Sequence, residues 1–260
     1  MSPQLLDIRR LTVRFGGLTA VNEVDFSIHS NEIVSLIGPN GAGKTTIFNA
    51  ITGFIRKTSG TVSFGGKDLT HSKTHEIARA GIVRTFQITS LFPGLTVLDN
   101  LRTGHHMEER ENLFDAFFNT RQKRKTEGET LGKAEEILKF TGLEGKRDTL
   151  ASNLPYGEQR LLEVGIALAA RPKLLLLDEP SAGLNDTETQ GMKILIGQMR
   201  AKGVTILLVE HDMKLVMGIS DRIIVLNFGK KIATGTPGEI RCNPEVIKAY
   251  LGERRRDVAH

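Results

Sequence analysis

Polar and apolar positions alternate along residues 5–30, for example over residues 11–15. A period of two residues is typical of antiparallel strands that bury one face and expose the other. Residues 60–64 end at a Gly65-Gly66 turn and predict a further pair of strands. The sequence therefore predicts an antiparallel β part over about residues 5–30 and 60–70.

Other apolar runs are continuous, at residues 33–37, 174–177 and 204–209. Runs of this kind indicate strands that are covered on both faces, which is the usual condition of a parallel sheet. Residues 186–202 predict the helix that crosses over between the last two of these strands. Residues 222–233 predict a hairpin at the end of the sheet.

Helical periodicity replaces these patterns from about residue 95 to 170, as in residues 134–140, which end before Gly142. We find no internal repeat and no long linker that would divide the chain. The sequence therefore predicts one α/β domain over residues 1–260, with a helical insertion at about 88–165.

The composition is that of a globular protein, with 39% hydrophobic and 25% charged residues in a chain of 260. No apolar run approaches the roughly 20 residues that span a bilayer. Charged residues from Asp7 onward leave no room for the apolar part of a signal peptide, and the single cysteine, Cys242, suits a reducing compartment. The net charge of +5 permits contact with nucleic acid, but a chain without Trp has little surface for base stacking. We expect a cytoplasmic protein without a nucleic-acid partner.

A glycine-rich segment follows the first continuous apolar run and matches G-x-x-x-x-G-K-[ST]. The order of strand, glycine-rich turn and helix lets backbone N–H groups and the helix N-terminus face phosphate oxygens. Lys44 is expected at the β- and γ-phosphates, and the Thr45 hydroxyl on Mg²⁺. The segment predicts a site for a nucleoside triphosphate, formed by Gly38, Pro39, Asn40, Gly41, Ala42, Gly43, Lys44, Thr45 and Thr46.

Two acids, Asp178 and Glu179, follow the apolar run 174–177 and should lie at the carboxyl edge of the sheet, where ligands of such sheets bind. Asp178 is suited to hold Mg²⁺, and Glu179 to act as the general base for an attacking water. His211 ends the next strand and is suited to bond the γ-phosphate. Gln87 is a further candidate for Mg²⁺ or the water, although its pattern alone leaves the role open.

The order of these elements resembles the ATP-binding subunits of ABC transporters from about residue 5 to 252. The resemblance implies a P-loop NTPase core with a mostly parallel sheet, an N-terminal antiparallel β subdomain and an inserted α-helical subdomain. It also implies that Phe15 stacks on adenine, that Gln87 belongs to the Q-loop and that His211 is the switch histidine. The family's signature segment corresponds to Leu154-Pro155-Tyr156-Gly157-Glu158, so Tyr156, Gly157 and Glu158 are expected at a partner subunit's nucleotide.

Three positions depart from the usual family pattern. Pro155 replaces the signature serine, Tyr156 replaces the first signature glycine, and Asn185 replaces an aspartate of the D-loop. Loss of the serine hydroxyl predicts a weaker or slower site, and these changes bring a symmetric dimer with two equal sites into question. Backbone N–H groups from Tyr156 to Glu158 remain available to phosphate.

The motifs Leu-Pro-Tyr-Gly, Arg-Thr-Phe-Gln and Val-Glu-His-Asp-Met resemble the ATPases of branched-chain amino-acid importers. That resemblance implies a Mg²⁺-dependent ATPase on the inner face of the cell membrane. Its expected partners are a second, different ATPase, two permeases and, indirectly, a binding protein. Urea or amide importers and lipid or lipopolysaccharide exporters are the alternatives within the family. A soluble ABC ATPase of translation or DNA repair is the alternative outside transport.

One apolar segment allows two interpretations. Residues 113–118 place apolar side chains at i, i+1, i+4 and i+5, which suits either the core of the helical insertion or a groove for a permease helix. Core packing is the preferred interpretation, because any packed helix shows this spacing.

Overall fold

The computed structural model describes residues 3–85, 91–105 and 120–257. The strands are β1 (Gln4–Phe15), β2 (Leu18–His29), β3 (Ile33–Ile37), β4 (Ser59–Phe64), β5 (Lys67–Asp68), β6 (Ile82–Arg84), β7 (Leu174–Asp178), β8 (Thr205–Val209), β9 (Arg222–Asn227) and β10 (Lys230–Gly235). The helices are α1 (Lys44–Ile51), α2 (Thr74–Ala80), α3 (Val97–His105), α4 (Thr120–Thr141), α5 (Tyr156–Ala169), α6 (Asp186–Ala201), α7 (Met213–Ile219), α8 (Pro237–Arg241) and α9 (Pro244–Asp257).

The chain divides into two compact units. The first unit consists of Met1–Arg84, Lys173–Ala182 and Ile196–His260, and the second of Thr85–Pro172 and Gly183–Leu195. Within the described parts of both units, no helix combines the length and the apolar character needed to cross a membrane.

An antiparallel sheet of order β2-β1-β4-β5 forms one layer of the first unit. Its register pairs Leu6 with Phe64 and Ile8 with Val62, so the alternating apolar positions of β1 and β4 point to the same side. These four side chains are buried in the main hydrophobic cluster of the unit. The antiparallel strands predicted from the two-residue period are confirmed, including the short strand β5 after the Gly65-Gly66 turn.

A six-stranded sheet of order β10-β9-β3-β8-β7-β6 forms the centre of the first unit. Strands β9, β3, β8, β7 and β6 run parallel to their neighbours, and β10 closes the sheet as an antiparallel hairpin with β9. Every residue of β3, β7 and β8 is buried, as their continuous apolar character predicts. Strand β6 was not predicted from the sequence, because its three residues are too few to show a period.

The second unit is mainly helical. Apolar side chains of α3, α4 and α5 form its core, among them Leu101, Leu138 and Leu162. Helix α4 ends at Thr141, directly before Gly142, as the periodicity predicts. Residues 113–118, for which we considered either core packing or a permease groove, lie outside the described residues.

Candidate functional site

The glycine-rich segment lies between β3 and α1 and is shaped by close backbone contact. A Cβ atom at Gly38 would lie 2.2 Å from the Leu226 carbonyl oxygen, so only glycine fits there. Helix α1 begins after Gly43, which has a left-handed conformation and provides no side-chain cap. The first N–H groups of α1 therefore lack a side-chain acceptor of the usual kind and are suited to an anion.

Lys44, the first residue of α1, is almost completely buried. Its Nζ atom donates to the carbonyl oxygens of Gly38 and Pro39, over 2.6 Å and 3.0 Å. These bonds hold the ammonium group against the glycine-rich loop, the segment for which the sequence predicts phosphate binding. Thr45, the next residue, is exposed and presents a hydroxyl oxygen beside the loop.

Asp178 is the last residue of β7, and its side chain is fully buried. Arg84 Nη2 donates to Asp178 Oδ2 over 2.5 Å. Burial raises the pKa of the Asp178 carboxyl, and the hydrogen bond and positive charge of Arg84 oppose that rise. Glu179 adds a smaller upward contribution through its charge, and Lys44 a smaller downward one. Sequence reasoning missed Arg84; its only signal was a cationic residue three positions before Gln87.

Glu179 and His211 are brought together from two neighbouring strands. Glu179 Oε1 lies 2.9 Å from His211 Nε2, and both side chains are partly exposed. The Glu179 backbone has φ of +50°, an uncommon conformation for a residue with a side chain, and its N–H donates to the Val209 carbonyl. This bond to β8 fixes the turn that directs Glu179 away from β7.

A second buried carboxylate, Glu210, connects the loops that follow β7 and β8. Its Oε1 atom accepts from the backbone N–H and the hydroxyl of Ser181, over 2.8 Å and 2.6 Å. Its Oε2 atom accepts from the N–H groups of His211 and Asp212, over 3.0 Å and 3.4 Å. Glu210 was not predicted as a site residue, because nothing in Val209-Glu210-His211 shows which way a side chain points.

The signature segment belongs to the second unit and forms the first turn of α5. Pro155 occupies the N-cap position and makes no side-chain cap, so it leaves the first N–H groups of α5 without that acceptor. Tyr156 is 44% exposed, and its hydroxyl accepts a hydrogen bond from Arg160 Nε over 3.0 Å. Asn185, the D-loop departure, exchanges two 2.9 Å hydrogen bonds with Glu188 at the start of α6.

Phe15 and Gln87 are the two remaining predicted residues of the nucleotide site. Phe15 ends β1 with its side chain 51% exposed, which leaves its ring face available to a planar ligand. Gln87 lies outside the described residues. The structure thus brings Lys44, Asp178, Glu179 and His211 to the carboxyl edge of adjacent strands β3, β7 and β8, where the sequence places them.

Oxygen atoms predominate among the groups that could hold a metal at this edge. Thr45 offers a hydroxyl and Asp178 a carboxylate, which are ligands that Mg²⁺ prefers. Over residues 3–85, 91–105 and 120–257, no three His, Cys, Asp or Glu side chains are grouped to bind a metal by themselves. The donor set therefore fits Mg²⁺ that is completed by phosphate oxygens and water, as in other phosphate-binding sites.

Comparison with known families agrees with this geometry. The family model described as ABC transporter matches residues 21–182, and a second, described as branched-chain amino acid ATP-binding cassette transporter, matches residues 230–255. The chain belongs to the ABC transporter family, as one of its ATP-binding subunits, and it binds ATP.

The chain is similar over nearly its whole length to transport ATP-binding proteins. It is 50% identical to the high-affinity branched-chain amino acid transport ATP-binding protein LivG of Salmonella typhimurium over 97% of this chain and 100% of LivG. It is 35% identical to the lipopolysaccharide export system ATP-binding protein LptB of Haemophilus influenzae over 96% of this chain and 98% of LptB.

A solved ATP-binding cassette of an ABC transporter in its ADP conformation has the same fold. It superposes with a TM-score of 0.84 at 32% identity, covering 96% of this chain and 100% of the cassette. The α/β fold that the sequence predicts, with its mostly parallel sheet, antiparallel sheet and helical part, is thereby confirmed.

Proposed function

We propose that the chain is the ATP-hydrolysing subunit of an importer for branched-chain or related hydrophobic amino acids. The observation that carries this proposal is the 50% identity to LivG over 97% of the chain. The match of residues 230–255 to a family model with the same substrate in its description supports it. We take the whole chain, residues 1–260, as a single ATP-binding domain.

The residues of the glycine-rich segment have the role of binding the phosphates of ATP. Backbone N–H groups of the loop and of α1 face the phosphates, and Lys44 exchanges loop carbonyls for β- and γ-phosphate oxygens. Phe15 stacks on adenine through its exposed ring face. The nucleotide is thus held by polar backbone and side-chain groups at one end and by an apolar surface at the other.

Mg²⁺ is the metal that these residues suit, with Thr45 and Asp178 as the residues that would hold it and Gln87 as a further candidate. When bound, Mg²⁺ neutralises charge on the β- and γ-phosphates. The protein's part is to keep an oxygen donor at the end of β7 and another at the start of α1. Asp178 is well suited to that task because its side chain is buried and held by Arg84.

Glu179 acts as the general base, taking a proton from the water that attacks the γ-phosphate. Its carboxylate lies within hydrogen-bond distance of His211, so the position of each side chain depends on the other. His211 also contacts the γ-phosphate and registers its departure. The proton therefore moves from the attacking water to Glu179, and the imidazole holds the carboxylate in place.

Tyr156, Gly157 and Glu158 contact the nucleotide of a partner ATPase through the N-terminal turn of α5. We infer a heterodimer with a second, different ATPase, because Pro155 removes the hydroxyl that a symmetric pair would use twice. Two permeases and, indirectly, a binding protein complete the importer, with this chain in the cytoplasm on the inner face of the membrane.

Other substrates within the family have weaker support. Identity to the exporter subunit LptB is 35%, against 50% to LivG, and both comparisons cover nearly the whole chain. A role in translation or DNA repair is disfavoured by the match of residues 230–255 to a transporter family model and by the 50% identity to LivG. The match of residues 230–255 to the family model described as branched-chain amino acid ATP-binding cassette transporter favours an amino-acid importer over a urea or amide importer.

Affinity purification of the chain from its own membranes in mild detergent, followed by mass spectrometry, tests the proposal directly. We expect two permeases and a second ATPase, together with ATP turnover that rises when a leucine-binding protein and leucine are added. A complex with a lipid-export permease, or stimulation by urea and not by leucine, would contradict the proposed substrate. E179Q in the same complex should bind ATP but lose turnover, whereas E136Q on the exposed face of α4 should behave as wild type.

A further inference from the structure

Arg84 joins three parts of the first unit. Its Nη2 atom donates to Asp178 Oδ2 and its Nη1 atom to Asn49 Oδ1, each over 2.5 Å. Its Cζ atom lies 5.5 Å from the centre of the Phe48 ring. The side chain is only 7% exposed, so these contacts are shielded from water. Arg84 thereby connects the end of β6 with the end of β7 and with α1, the helix that follows the glycine-rich loop.

The contacts fix the orientation of the guanidinium group. An arginine side chain is a planar fork, and here one arm is bonded to an amide on α1 and the other to a carboxylate on β7. The guanidinium group also lies over the Phe48 ring at a cation–π distance, and this contact restricts its rotation out of the plane of the fork. A carboxylate bonded to such a group is restricted to one rotamer, whereas an unsupported one could turn about two side-chain bonds.

We propose that Arg84 is a positioning residue for the metal site and holds the Asp178 carboxylate in the orientation that serves Mg²⁺. The proposal rests on the function proposed above, in which Asp178 supports the metal. It extends that function by assigning a role to a residue that does not itself contact nucleotide or metal. Residues of this kind commonly change metal affinity by about 10- to 100-fold when they are replaced.

Geometry and charge predict opposite effects for this residue. If Arg84 acted only as a positive charge, its removal would relieve repulsion between the guanidinium and a divalent cation, and metal would bind more tightly. If Arg84 acts by orientation, its removal releases Asp178 and metal binds more weakly. The sign of the change in metal affinity therefore distinguishes the two roles.

Three variants separate these effects. R84M removes the charge and the fork but keeps an apolar stem beside Phe48. R84K keeps the charge but cannot bond Asp178 and Asn49 at the same time, because an ammonium is not a planar fork. N49A leaves every charge in place and removes only the second anchor of the guanidinium.

The measurement is the affinity of the full chain for Mn²⁺ at saturating ADP, followed by the electron paramagnetic resonance signal of free Mn²⁺ and corrected for Mn²⁺ bound to free ADP. Affinity for a fluorescent ADP analogue in EDTA reports on the nucleotide site without metal. Thermal unfolding of each variant verifies that it is folded. R79M, on the exposed side of α2, is the matched control for loss of an arginine, and D178A is the control for the metal ligand.

We expect R84M and R84K each to bind Mn²⁺ at least about tenfold more weakly. We expect N49A to show a smaller loss, and all three to bind the ADP analogue in EDTA as wild type does. Unchanged or tighter Mn²⁺ binding by R84M, with D178A weakened, would overturn the role of Arg84 but leave the proposed function intact. Unchanged binding by D178A would overturn the metal role of Asp178 and this inference with it. If R84M does not fold, R84K and N49A decide the question in the same way.

Discussion

Glu210 offers a sharp test of how the loops after β7 and β8 are held together. Its carboxylate is 3% exposed and accepts four hydrogen bonds, two at each oxygen. Every partner is a donor, so a glutamine of the same shape cannot satisfy them all. In E210Q the amide oxygen can keep the two bonds from Ser181, but the NH₂ group then faces the N–H groups of His211 and Asp212.

The cost of E210Q follows from the bonds that are lost or weakened. A hydrogen bond to a charged group contributes about 1.5–3 kcal/mol, and one between neutral groups about 1 kcal/mol. The substitution removes the 3.0 Å bond from His211 and the longer bond from Asp212, and it makes the two Ser181 bonds neutral. We therefore expect the free energy of unfolding to fall by about 3 kcal/mol. For a chain of this size that lowers the melting temperature by roughly 6–12 °C.

Differential scanning calorimetry of E210Q, S181A and E136Q measures this effect. S181A removes one donor to the charged carboxylate, the 2.6 Å bond from the Ser181 hydroxyl, and should cost about 1.5–3 kcal/mol. E136Q, an exposed substitution of the same type on α4, should keep the melting temperature within about 2 °C of wild type. Because Glu210 holds the backbone of His211, the E210Q complex should also turn over ATP more slowly. A melting temperature of E210Q within about 2 °C of wild type would refute the reasoning, since surface substitutions alone change it by that amount.

Three further substitutions test other parts of the chain. G183A should lower the melting temperature and alter tyrosine fluorescence, because φ is +80° there and a Cβ would lie 2.9 Å from Tyr156 Cε1; an unchanged spectrum would contradict the contact. L207A in the centre of β8 should cost about 2–5 kcal/mol in urea unfolding, and a cost below 1 kcal/mol would contradict tight packing. Burial raises the pKa of Glu32, but the hydrogen bond and charge of Arg222 and the backbone hydrogen bond and charge of His29 together outweigh burial, and the pKa is lowered. The stabilisation of wild type over E32Q should therefore be complete above pH 4.5 and disappear as the pH falls through the lowered pKa; a difference that grows in acid would contradict this sign.

Elements with a repeated pattern could be predicted from the sequence. The two-residue period predicted antiparallel strands over residues 5–30, because one face of that sheet is buried, and the structure shows them as the pair β1 and β2. The continuous runs predicted β3, β7 and β8, because both faces of the central sheet are covered. In each case the burial of the strand determines the polarity of several successive residues, so the pattern predicts the strand even where a single residue departs from it.

The short strand β6 and its last residue, Arg84, could not be predicted in this way. Three residues, Ile82–Arg84, do not show a period, and β6 is a strand because it pairs with β7, which lies about 90 residues further along the chain. The bond from Arg84 to Asp178 depends on that pairing. No local signal in the sequence could have revealed it.

Glu210 and Arg84 each hold a residue of the predicted site in place, and neither was predicted from the sequence. The reason is the same for both residues. Asp178 and His211 are recognisable because their chemistry needs particular residue types at the end of a strand or within two residues of it. Their supports, Arg84 and Glu210, also lie at the carboxyl ends of strands, but each acts on the loop or end of the adjacent strand. A support can therefore be identified only when the strand order is known, and the order β3-β8-β7-β6 supplies it. The same reasoning predicts that supports of a parallel-sheet site are found by examining the last residue of each neighbouring strand and the residue that follows it, and the Arg84 and Glu210 variants test that expectation independently.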